Sequence, residues 1–421
     1  MAERFANPMH SPFPRINSER LWATLMQLAT IGATPAGGVC RLALTEEDRQ
    51  AREQLMRWCR EVGCTTEIDA VGNIFARRPG MDTTSAAVMS GSHLDTQPNG
   101  GRFDGAYGVV AALEVLRVLH ENGIATRRPV ELVVWSNEEG TRFAPSMMGS
   151  MAFAGLLSQG DVLDRTDFHG CRYGDELQRI GHQGQGLGGR SIAAYFEAHI
   201  EQGPVLEREH CTIGVVTGGQ GQRWFDLRLS GQAAHAGSTP MAGRRDALWG
   251  AARMVQAMRD IALQCAPGVA TVGELHVTPN SRNVIPGQVA MTVEIRHPED
   301  RMLEQMETRF KDALHQVVSA ERLTFELTPK LVQPATPFDD ACVSTVRQAA
   351  QREGHLHLDI VSGAAHDAIA IARVAPTAMI FVPCAGGISH DESESATPED
   401  LAAGAQVLLR SILTASGVDQ E

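Results

Sequence analysis

Residues 86–122, which read AAVMSGSHLDTQPNGGRFDGAYGVVAALEVLRVLHEN, decide the fold. They open with a short apolar run, 86–90, that predicts a buried strand. They close with a helix from about Ala106 to Asn122, in which apolar residues recur at spacings of three and four: Val109, Val110, Leu113, Leu116 and Leu119. A second apolar strand follows at 129–135. This strand–helix–strand order predicts an α/β domain with a largely parallel core.

The pattern changes after Ile213. Two helices, 244–264 and 301–319, are expected among strands at 213–217, 223–230, 270–277, 288–296 and 323–331. Such an order is typical of a small antiparallel sheet with two helices on one face. The α/β pattern then returns, with a helix at 339–353, a strand at 376–382 and a helix after Thr397. The predicted domains are a first part at 1–212, a smaller α+β domain at 213–331 and a second part of the α/β domain at 332–421.

Other local signals place helices at 17–35 and 45–63 and one strand at 66–78. Thr45, followed by three acidic residues, has the composition of a helix start. The stretch 158–190 is rich in glycine and polar residues, and it is expected to form a long surface segment.

Composition excludes several classes of protein. The 421 residues include 37 basic and 50 acidic side chains, and a net charge of −13 argues against a role in gripping nucleic acid. The two lysines, Lys311 and Lys330, do not follow glycine, so there is no Walker A phosphate loop. The eight cysteines form no CxxC pair. Residues 1–14 lack the apolar core of a signal peptide, and no apolar run is long enough for a bilayer, which predicts a cytoplasmic protein without a membrane partner.

Five short segments place carboxylates or histidines at the ends of predicted strands or at the start of a helix. Strand ends are where open α/β sheets bind their ligands. They are His93-Leu94-Asp95, Phe103-Asp104-Gly105, Asn137-Glu138-Glu139-Gly140, Ala198-His199-Ile200-Glu201-Gln202 and Ser389-His390-Asp391-Glu392. One such segment alone is more often structural than functional. All five together favour a site for divalent cations.

These segments resemble the co-catalytic metallohydrolases of the M20 peptidase family, and within it the amidase branch that acts on N-carbamoyl-L-amino acids, allantoate and β-ureidopropionate. The resemblance extends from about residue 17 to 415. Its further motifs are 197–204 (EAHIEQGP), 235–241 (HAGSTPM) and 283–287 (NVIPG). It implies a two-domain fold, in which a mixed-sheet catalytic domain is interrupted by a ferredoxin-like lid and dimerisation domain.

The resemblance also implies two divalent metal ions per subunit, with zinc foremost and manganese, cobalt and nickel as alternatives. Asp104 would bridge them, one ion being held by His93 and Glu139 and the other by His199 and His390. The M20 peptidases usually have a carboxylate at the position of His199, so this histidine favours the amidase branch over a dipeptidase.

Two acidic residues beside these ligands receive roles from the same resemblance. Glu138 would be the general base that takes a proton from water and returns it to the leaving nitrogen. Asp95 would orient the imidazole of His93. The alternatives are structural, namely that Glu138 caps a strand and that Asp95 belongs to a turn.

The smaller domain would supply the groups that hold the substrate. His235 and Asn283 would donate hydrogen bonds to the carbonyl oxygen, and Arg296 would hold the α-carboxylate. Gln202 and the loop 362–367, including Gly363 and Ala364, match pocket-lining positions. Ala365 departs from the glycine that many relatives have there, and His366 and Asp367 could be either pocket or structural residues. A homodimer is expected, because the lid of one subunit often completes the partner's site in the family.

The function that follows is hydrolysis of the carbamoyl group of N-carbamoyl-L-amino acids to the amino acid, carbon dioxide and ammonia. Allantoate and β-ureidopropionate remain open as substrates, since both carry a carboxylate and a ureido group. An M20 aminoacylase or dipeptidase and a non-catalytic binding protein are the remaining alternatives.

Overall fold

The computed structural model describes residues 13–187 and 189–418. The outer ends of the expected domain limits, at 1–12 and 419–421, and most of the stretch searched for a signal peptide lie outside these residues. The chain divides into two compact units. The first takes in the described residues up to Thr217, Phe338–Ile360 and those from Ala365 onward, and the second takes in Gly218–Pro337 and Val361–Ala364.

The helices in chain order are α1 (Ser18–Ala29), α2 (Glu46–Glu61), α3 (Ala106–Glu121), α4 (Met148–Phe153), α5 (Gln159–Leu163), α6 (Tyr173–Arg179), α7 (Val205–Arg208), α8 (Ala247–Gln264), α9 (Asp300–Glu321), α10 (Asp340–Arg352), α11 (Asp367–Ile371) and α12 (Pro398–Ala415), with short 3₁₀ turns at Met241–Gly243 and Ala385–Gly387. The starts of α2 and α12 have the capping residues expected from the sequence. The side chain of Thr45 accepts a hydrogen bond from the N–H of Asp48 at the start of α2. Thr397 caps α12 in the same way, with Pro398 at the first helical position.

The strands are β1 (Thr65–Ile68), β2 (Ile74–Arg78), β3 (Ala87–His93), β4 (Val130–Trp135), β5 (Ile192–Ile200), β6 (Ile213–Gly219), β7 (Gly221–Ser230), β8 (Ala234–His235), β9 (Val269–Thr271), β10 (Leu275–Thr278), β11 (Val284–Ile285), β12 (Gln288–His297), β13 (Thr324–Gln333), β14 (Thr336–Pro337), β15 (His357–Ser362) and β16 (Thr377–Val382).

In the first unit the strands lie in the order β1-β2-β4-β3-β5-β16-β6, and β15 pairs with β6. The central strands β4, β3, β5 and β16 are mutually parallel, while β2 and β6 join them antiparallel. β3, β4 and β16 are buried along their whole length, as parallel strands covered on both faces must be. The expected parallel core is therefore present, with antiparallel strands at its edges that make the whole sheet mixed.

The second unit has an antiparallel sheet in the order β10-β12-β7-β13, with β9 paired to β12. β12 alternates between partly exposed and buried residues, because only one face of the sheet packs on a core. That core includes Met254 from α8 and Phe310 from α9. The α+β character predicted for this part of the chain is confirmed.

Two local expectations were wrong. The stretch 66–78 forms two strands rather than one, because Asp69 accepts backbone hydrogen bonds from Val71 and Asn73 and so closes a turn between them. The stretch 158–190 is not simply a surface segment. It contains α5 and α6, and Tyr173 and Leu177 lie in a separate buried apolar cluster. Among the described residues, no helix combines the length and the apolar character that crossing a membrane would require.

Candidate metal centre

The donor residues meet because parallel strands end at the same edge of the sheet. His93 is the last residue of β3, and His199 is the last but one of the parallel β5. Glu138 and Glu139 follow β4, which is parallel to β3 on its other side. Asp104 lies just before α3, and His390 lies in the loop between β16 and α12.

Two of the histidines are oriented by backbone carbonyls. Nδ1 of His93 lies 2.8 Å from the carbonyl oxygen of Asp95, and Nδ1 of His199 lies 2.9 Å from that of Ile200. A hydrogen bond at Nδ1 leaves Nε2 with its lone pair facing inward. The two Nε2 atoms lie 3.6 Å and 3.3 Å from Oδ1 of Asp104, so His93, Asp104 and His199 form one three-donor cluster.

A second cluster uses the other oxygen of the same carboxylate. Nε2 of His390 lies 3.3 Å from Oδ2 of Asp104 and 3.5 Å from Oε2 of Glu139. The two clusters share Asp104, the residue expected to bridge. Within these clusters His93 is grouped with His199 and Glu139 is grouped with His390, and the division of the ligands between two ions stays a prediction.

The donor set fits divalent cations. Oε1 of Glu139 is buried and has no hydrogen-bond partner among the described residues, as a carboxylate oxygen reserved for a cation would be. Burial would lower the pKa of His93, but Glu138 and the carboxylates around it raise this pKa well above its usual value. Imidazole and carboxylate donors that lie close to further carboxylates are suited to zinc and to similar transition metals.

Glu138 is placed beside this centre rather than in it. Its Oε2 lies 3.5 Å from Nε2 of His93, and burial raises the pKa of its carboxyl group well above the usual range. Its backbone is fixed by Asp95, whose two carboxylate oxygens accept the N–H groups of Glu138 and Glu139 at 3.2 and 3.1 Å.

Asp95 therefore contacts His93 through a different atom from the one expected. The carboxylate was expected to orient His93, but its nearer oxygen lies 4.0 Å from Nδ1 of that imidazole. The backbone carbonyl of Asp95 contacts the imidazole instead. One residue thus positions His93 through its main chain and the Glu138–Glu139 peptide through its side chain.

The centre is surrounded by unusual backbone. Gly105 has φ of +64°, and a Cβ there would lie 2.4 Å from the ring of His93, so glycine is required on both counts. Asn137, Gln202 and His390 have positive φ although they are not glycine. Such residues concentrate at functional sites, where the surrounding contacts hold them in place.

Three contacts to the donors involve residues with no expected role or a different one. Gln97 donates from its amide to Oε2 of Glu139 at 2.6 Å. Gln202, expected to line the substrate pocket, donates to Oδ2 of Asp104 at 3.1 Å. Glu394 accepts the backbone N–H of Asp104 at 3.1 Å. Gln97 was missed because a single polar residue in a loop carries no pattern of its own, and Glu394 because nothing in the sequence separates it from the neighbouring Glu392.

His366 and Asp367 are both buried. The ring of His366 packs on that of His199 with a centroid separation of 4.4 Å, and its Nε2 has no hydrogen-bond partner among the described residues. Asp367 accepts the hydroxyl hydrogen bond of Ser150 at 2.5 Å. The donor atoms of His366 also group with those of Glu197 and His199, so the two alternatives expected for His366, a pocket residue and a structural one, both stand.

In the second unit, His235 and Asn283 are neighbours. β8 and β11 pair so that Val284 lies opposite His235, and the N–H of Ala236 donates to the carbonyl of Asn283. Nδ1 of His235 accepts hydrogen bonds from the N–H groups of Gly237 and Ser238 at 3.0 and 3.1 Å. In the neutral ring the proton therefore lies on Nε2, which is left as a donor.

Arg296 is brought to the other predicted pocket loop in the same unit. Its Nη1 donates to the carbonyl of Gly363 at 2.9 Å, and its Nε pairs with Glu294. The loop itself is closed by Ser362, whose hydroxyl donates to the carbonyl of Ala364. Arg296, Gly363 and Ala364 thus form one neighbourhood within the second unit.

A parallel sheet edge that carries two donor clusters with a common carboxylate, and a buried glutamate beside them, is an arrangement typical of metallohydrolases. Residues 89–414 match the peptidase family M20/M25/M40. An N-carbamoyl-L-amino-acid amidohydrolase of Rhizobium meliloti is 45% identical over 403 residues, which cover 95% of this chain and 96% of the relative. The chain belongs to this M20 family.

Two further comparisons cover nearly the whole chain. A crystal structure of an amidase of the hydantoinase/carbamoylase family from Burkholderia multivorans is 52% identical, with a TM-score of 0.94, and the match covers 97% of this chain and 100% of that one. An allantoate amidohydrolase of Escherichia coli is 33% identical over 91% of this chain and 95% of its own length. The family and the fold expected from the sequence motifs are confirmed.

Proposed function

We propose that this protein is a metal-dependent amidohydrolase that removes the carbamoyl group from N-carbamoyl-L-amino acids. The observation that carries the proposal is the pair of donor clusters with a common Asp104, set beside the buried carboxyl group of Glu138. Similarity to a relative named for this activity, at 45% identity over almost the full length of both chains, supports the substrate class.

The ions would be held by His93, Asp104 and His199 in one cluster and by Asp104, Glu139 and His390 in the other. Bound divalent ions would polarise the ureido carbonyl, which is a poor electrophile, and would lower the pKa of the attacking water. Zinc is the proposed metal, with manganese, cobalt and nickel as alternatives, since all four suit nitrogen and oxygen donors.

Glu138 is proposed as the proton carrier. Its carboxylate takes a proton from water as the oxygen attacks the ureido carbon, and the resulting carboxylic acid protonates the amino nitrogen as the C–N bond breaks. The raised pKa of its buried carboxyl supports the second step, which needs an acid. The products are the free amino acid and carbamate, which decomposes to carbon dioxide and ammonia. Asp95 keeps Glu138 in place through the backbone.

The second unit is proposed to supply the substrate contacts. Nε2 of His235 and the amide of Asn283 would donate to the carbonyl oxygen as its negative charge develops. Arg296 would hold the α-carboxylate, with Gly363 and Ala364 lining the same end of the substrate. Gln202 is also proposed to contact the substrate, in addition to the hydrogen bond that it donates to Asp104.

A homodimer and a cytoplasmic location complete the proposal. Helix α8 leaves large apolar side chains exposed, with Trp249 at 59% and Leu263 at 67%, and a second subunit would cover such residues. Light scattering of the purified protein during size-exclusion chromatography gives the mass that tests for a dimer.

Allantoate is the second candidate substrate, and the similarity to an allantoate amidohydrolase over most of the chain supports it. β-Ureidopropionate shares the same two functional groups. An M20 aminoacylase or dipeptidase is less well supported, because His199 occupies the position where the peptidases of the family usually have a carboxylate.

Ammonia release from a panel of substrates tests the proposal. The metal-loaded protein is incubated with N-carbamoyl-L- and N-carbamoyl-D-amino acids, allantoate, β-ureidopropionate, an N-acetyl amino acid and a dipeptide, with amino-acid release measured for the last two. We expect the N-carbamoyl-L-amino acids to be turned over with the highest kcat/KM. A higher kcat/KM for allantoate would make allantoate the proposed substrate. Turnover of the dipeptide alone would overturn the amidohydrolase assignment.

A further inference from the structure

Glu394 connects two parts of the metal centre that are distant in sequence. Its Oε1 accepts the backbone N–H groups of Phe103 and Asp104 at 3.0 and 3.1 Å. Its Oε2 accepts the hydroxyl of Ser389 at 2.8 Å. A single carboxylate therefore joins the main chain of the shared ligand Asp104 to the residue that precedes His390.

The loop of His390 needs an anchor of this kind. The His390 side chain is 51% exposed, so packing on the side chain restrains it little, and its backbone φ of +57° has to be held by contacts of the neighbouring residues. A mobile ligand loses conformational entropy when it binds a cation, and that loss weakens binding. Holding the preceding residue reduces the freedom that His390 has to lose.

Gln202 completes the connection from the other side. Its amide donates to Oδ2 of Asp104 at 3.1 Å and to Oγ of Ser389 at 2.9 Å. Because the Ser389 hydroxyl accepts from Gln202, its one proton is free to be donated to Glu394. The hydrogen bonds thus run in a consistent direction around Asp104, Ser389 and Glu394.

The surroundings leave room for this carboxylate and little else. Glu394 is 4% exposed. A Cβ added to Gly101 would lie 2.0 Å from its Oε1 and 2.5 Å from its Cβ, so any larger residue there would displace the whole side chain. Gly101 therefore matters for the space that it leaves beside the carboxylate.

We propose that Glu394 is a positioning residue that fixes His390 relative to Asp104 and thereby sets the affinity of the cluster Asp104, Glu139 and His390 for its cation. The proposal rests on the proposed function, in which this cluster holds a metal. The cluster of His93, Asp104 and His199 depends less on Glu394, because both of its histidines are buried and oriented by backbone carbonyls.

Titration of the chelator-treated protein with Co²⁺, followed by calorimetry and by visible absorption, tests the proposal. Glu394→Ala is expected to lower the affinity for one Co²⁺ ion by about 10- to 100-fold, the usual effect of losing a residue that orients a ligand, and to change the absorption bands of that ion. Glu394→Gln is expected to recover most of the affinity. Its amide oxygen still accepts both N–H groups, and its NH₂ can donate to Ser389.

Glu114→Ala is the matched control. Glu114 is also a fully buried carboxylate that accepts a backbone N–H, that of Asn17, and it pairs with Arg20 away from the metal centre. This variant is expected to lose thermal stability and to bind Co²⁺ as the wild type does. Gly101→Ala is a second route to the same effect, should Glu394→Ala fail to fold, and it is expected to weaken Co²⁺ binding because it displaces Glu394.

Wild-type Co²⁺ affinity and spectrum in Glu394→Ala, or in a folded Gly101→Ala, would overturn the proposal. Equal losses in Glu394→Gln and Glu394→Ala would overturn it too, because the charge rather than the position of the group would then matter. Failure of the proposed function is distinguishable. In that case the wild-type protein binds Co²⁺ but cleaves no ureido acid, while the comparison of the variants still decides the role of Glu394.

Discussion

Glu138 is the residue on which the proposed chemistry depends. Glu138→Gln keeps the shape of the side chain but cannot accept a proton, so kcat is expected to fall by about 10²- to 10⁴-fold or more, the usual contribution of a general acid–base group. The metal content of the protein, measured by inductively coupled plasma mass spectrometry, should be unchanged.

Glu139→Gln provides the contrast for this prediction. Its buried carboxylate lies 3.5 Å from Nε2 of His390, so neutralising it should reduce metal content as well as rate. Near-normal turnover in metal-loaded Glu138→Gln would contradict the proposed mechanism.

Arg296 is the proposed anchor for the substrate carboxylate. Arg296→Lys replaces a planar fork by a point charge, so we expect KM for N-carbamoyl amino acids to rise with a smaller change in kcat. Arg228→Lys, at an exposed ion pair with Glu326 in the same unit, should leave KM unchanged. If KM is unaffected in Arg296→Lys, another group binds the carboxylate.

The sequence singled out the five donor residues because each lies in a motif, four of them near a strand end or helix start and His390 in a loop. It could not predict how they group, because the pairing of His93 with His199 depends on the distance between β3 and β5. It also missed Glu394, which lies in the same acidic stretch as Glu392. Only the fold distinguishes the two, since Glu394 alone reaches the backbone of Asp104.

At the scale of elements, the start of α3 is set by Gly105. Gly105→Ala is expected to reduce Co²⁺ affinity, measured by titration, because the added Cβ would lie 2.4 Å from the ring of His93. Gly123→Ala, just after the same helix, is the matched control. It has a similar φ of +59° and no atom within 4 Å of its Cβ, so only the backbone strain of roughly 1–2 kcal/mol should remain. Equal Co²⁺ affinities in the two variants would contradict this account.

The segment after α6 carries a buried histidine that should make the fold sensitive to acid. Burial, with a contribution from Arg52, lowers the pKa of His182 from 6.5 to about 4. The unfolded chain therefore takes up the proton first as the pH falls. The stability that His182 contributes is complete above pH 6.5 and is lost as the pH falls to about 4.

His182→Gln removes this titration while keeping a polar side chain of similar size. Between pH 7 and pH 4, scanning calorimetry should show a smaller fall of the unfolding temperature in His182→Gln than in the wild type. If the unfolding temperatures of the two proteins fall in parallel with pH, the pKa of His182 is not lowered by burial in the folded protein.

The elements that were predicted well have strong periodicity or clear caps, as α3 and α12 do. The errors lie where tertiary contacts override composition. Glycine and polar residues at 158–190 suggested solvent exposure, yet Tyr173 is buried, and its hydroxyl donates to the carbonyl of Val71. A contact across a hundred residues of sequence leaves no local pattern.

At the scale of the whole molecule, metal removal should destabilise the protein. Chelation is expected to lower the unfolding temperature, and zinc restored at 100 times its dissociation constant should add about 2.7 kcal/mol of stability. His93→Ala should reduce this gain, while His235→Ala, in the second unit, should keep it. Scanning calorimetry measures both effects, and an unfolding temperature unchanged by the chelator would contradict the proposed binding of metal ions.

The first unit is discontinuous in sequence, and this has a consequence for synthesis. His93, Asp104, Glu139 and His199 all leave the ribosome before residues 218–337 are made, whereas His390 and Glu394 emerge after them. A nascent chain can thus form β3, β4 and β5 early, but it lacks one ligand and its anchor until the second unit has been translated. The cluster of His93, Asp104 and His199 can therefore form before the second unit is translated, whereas the cluster of Asp104, Glu139 and His390 is completed only at a late stage of translation.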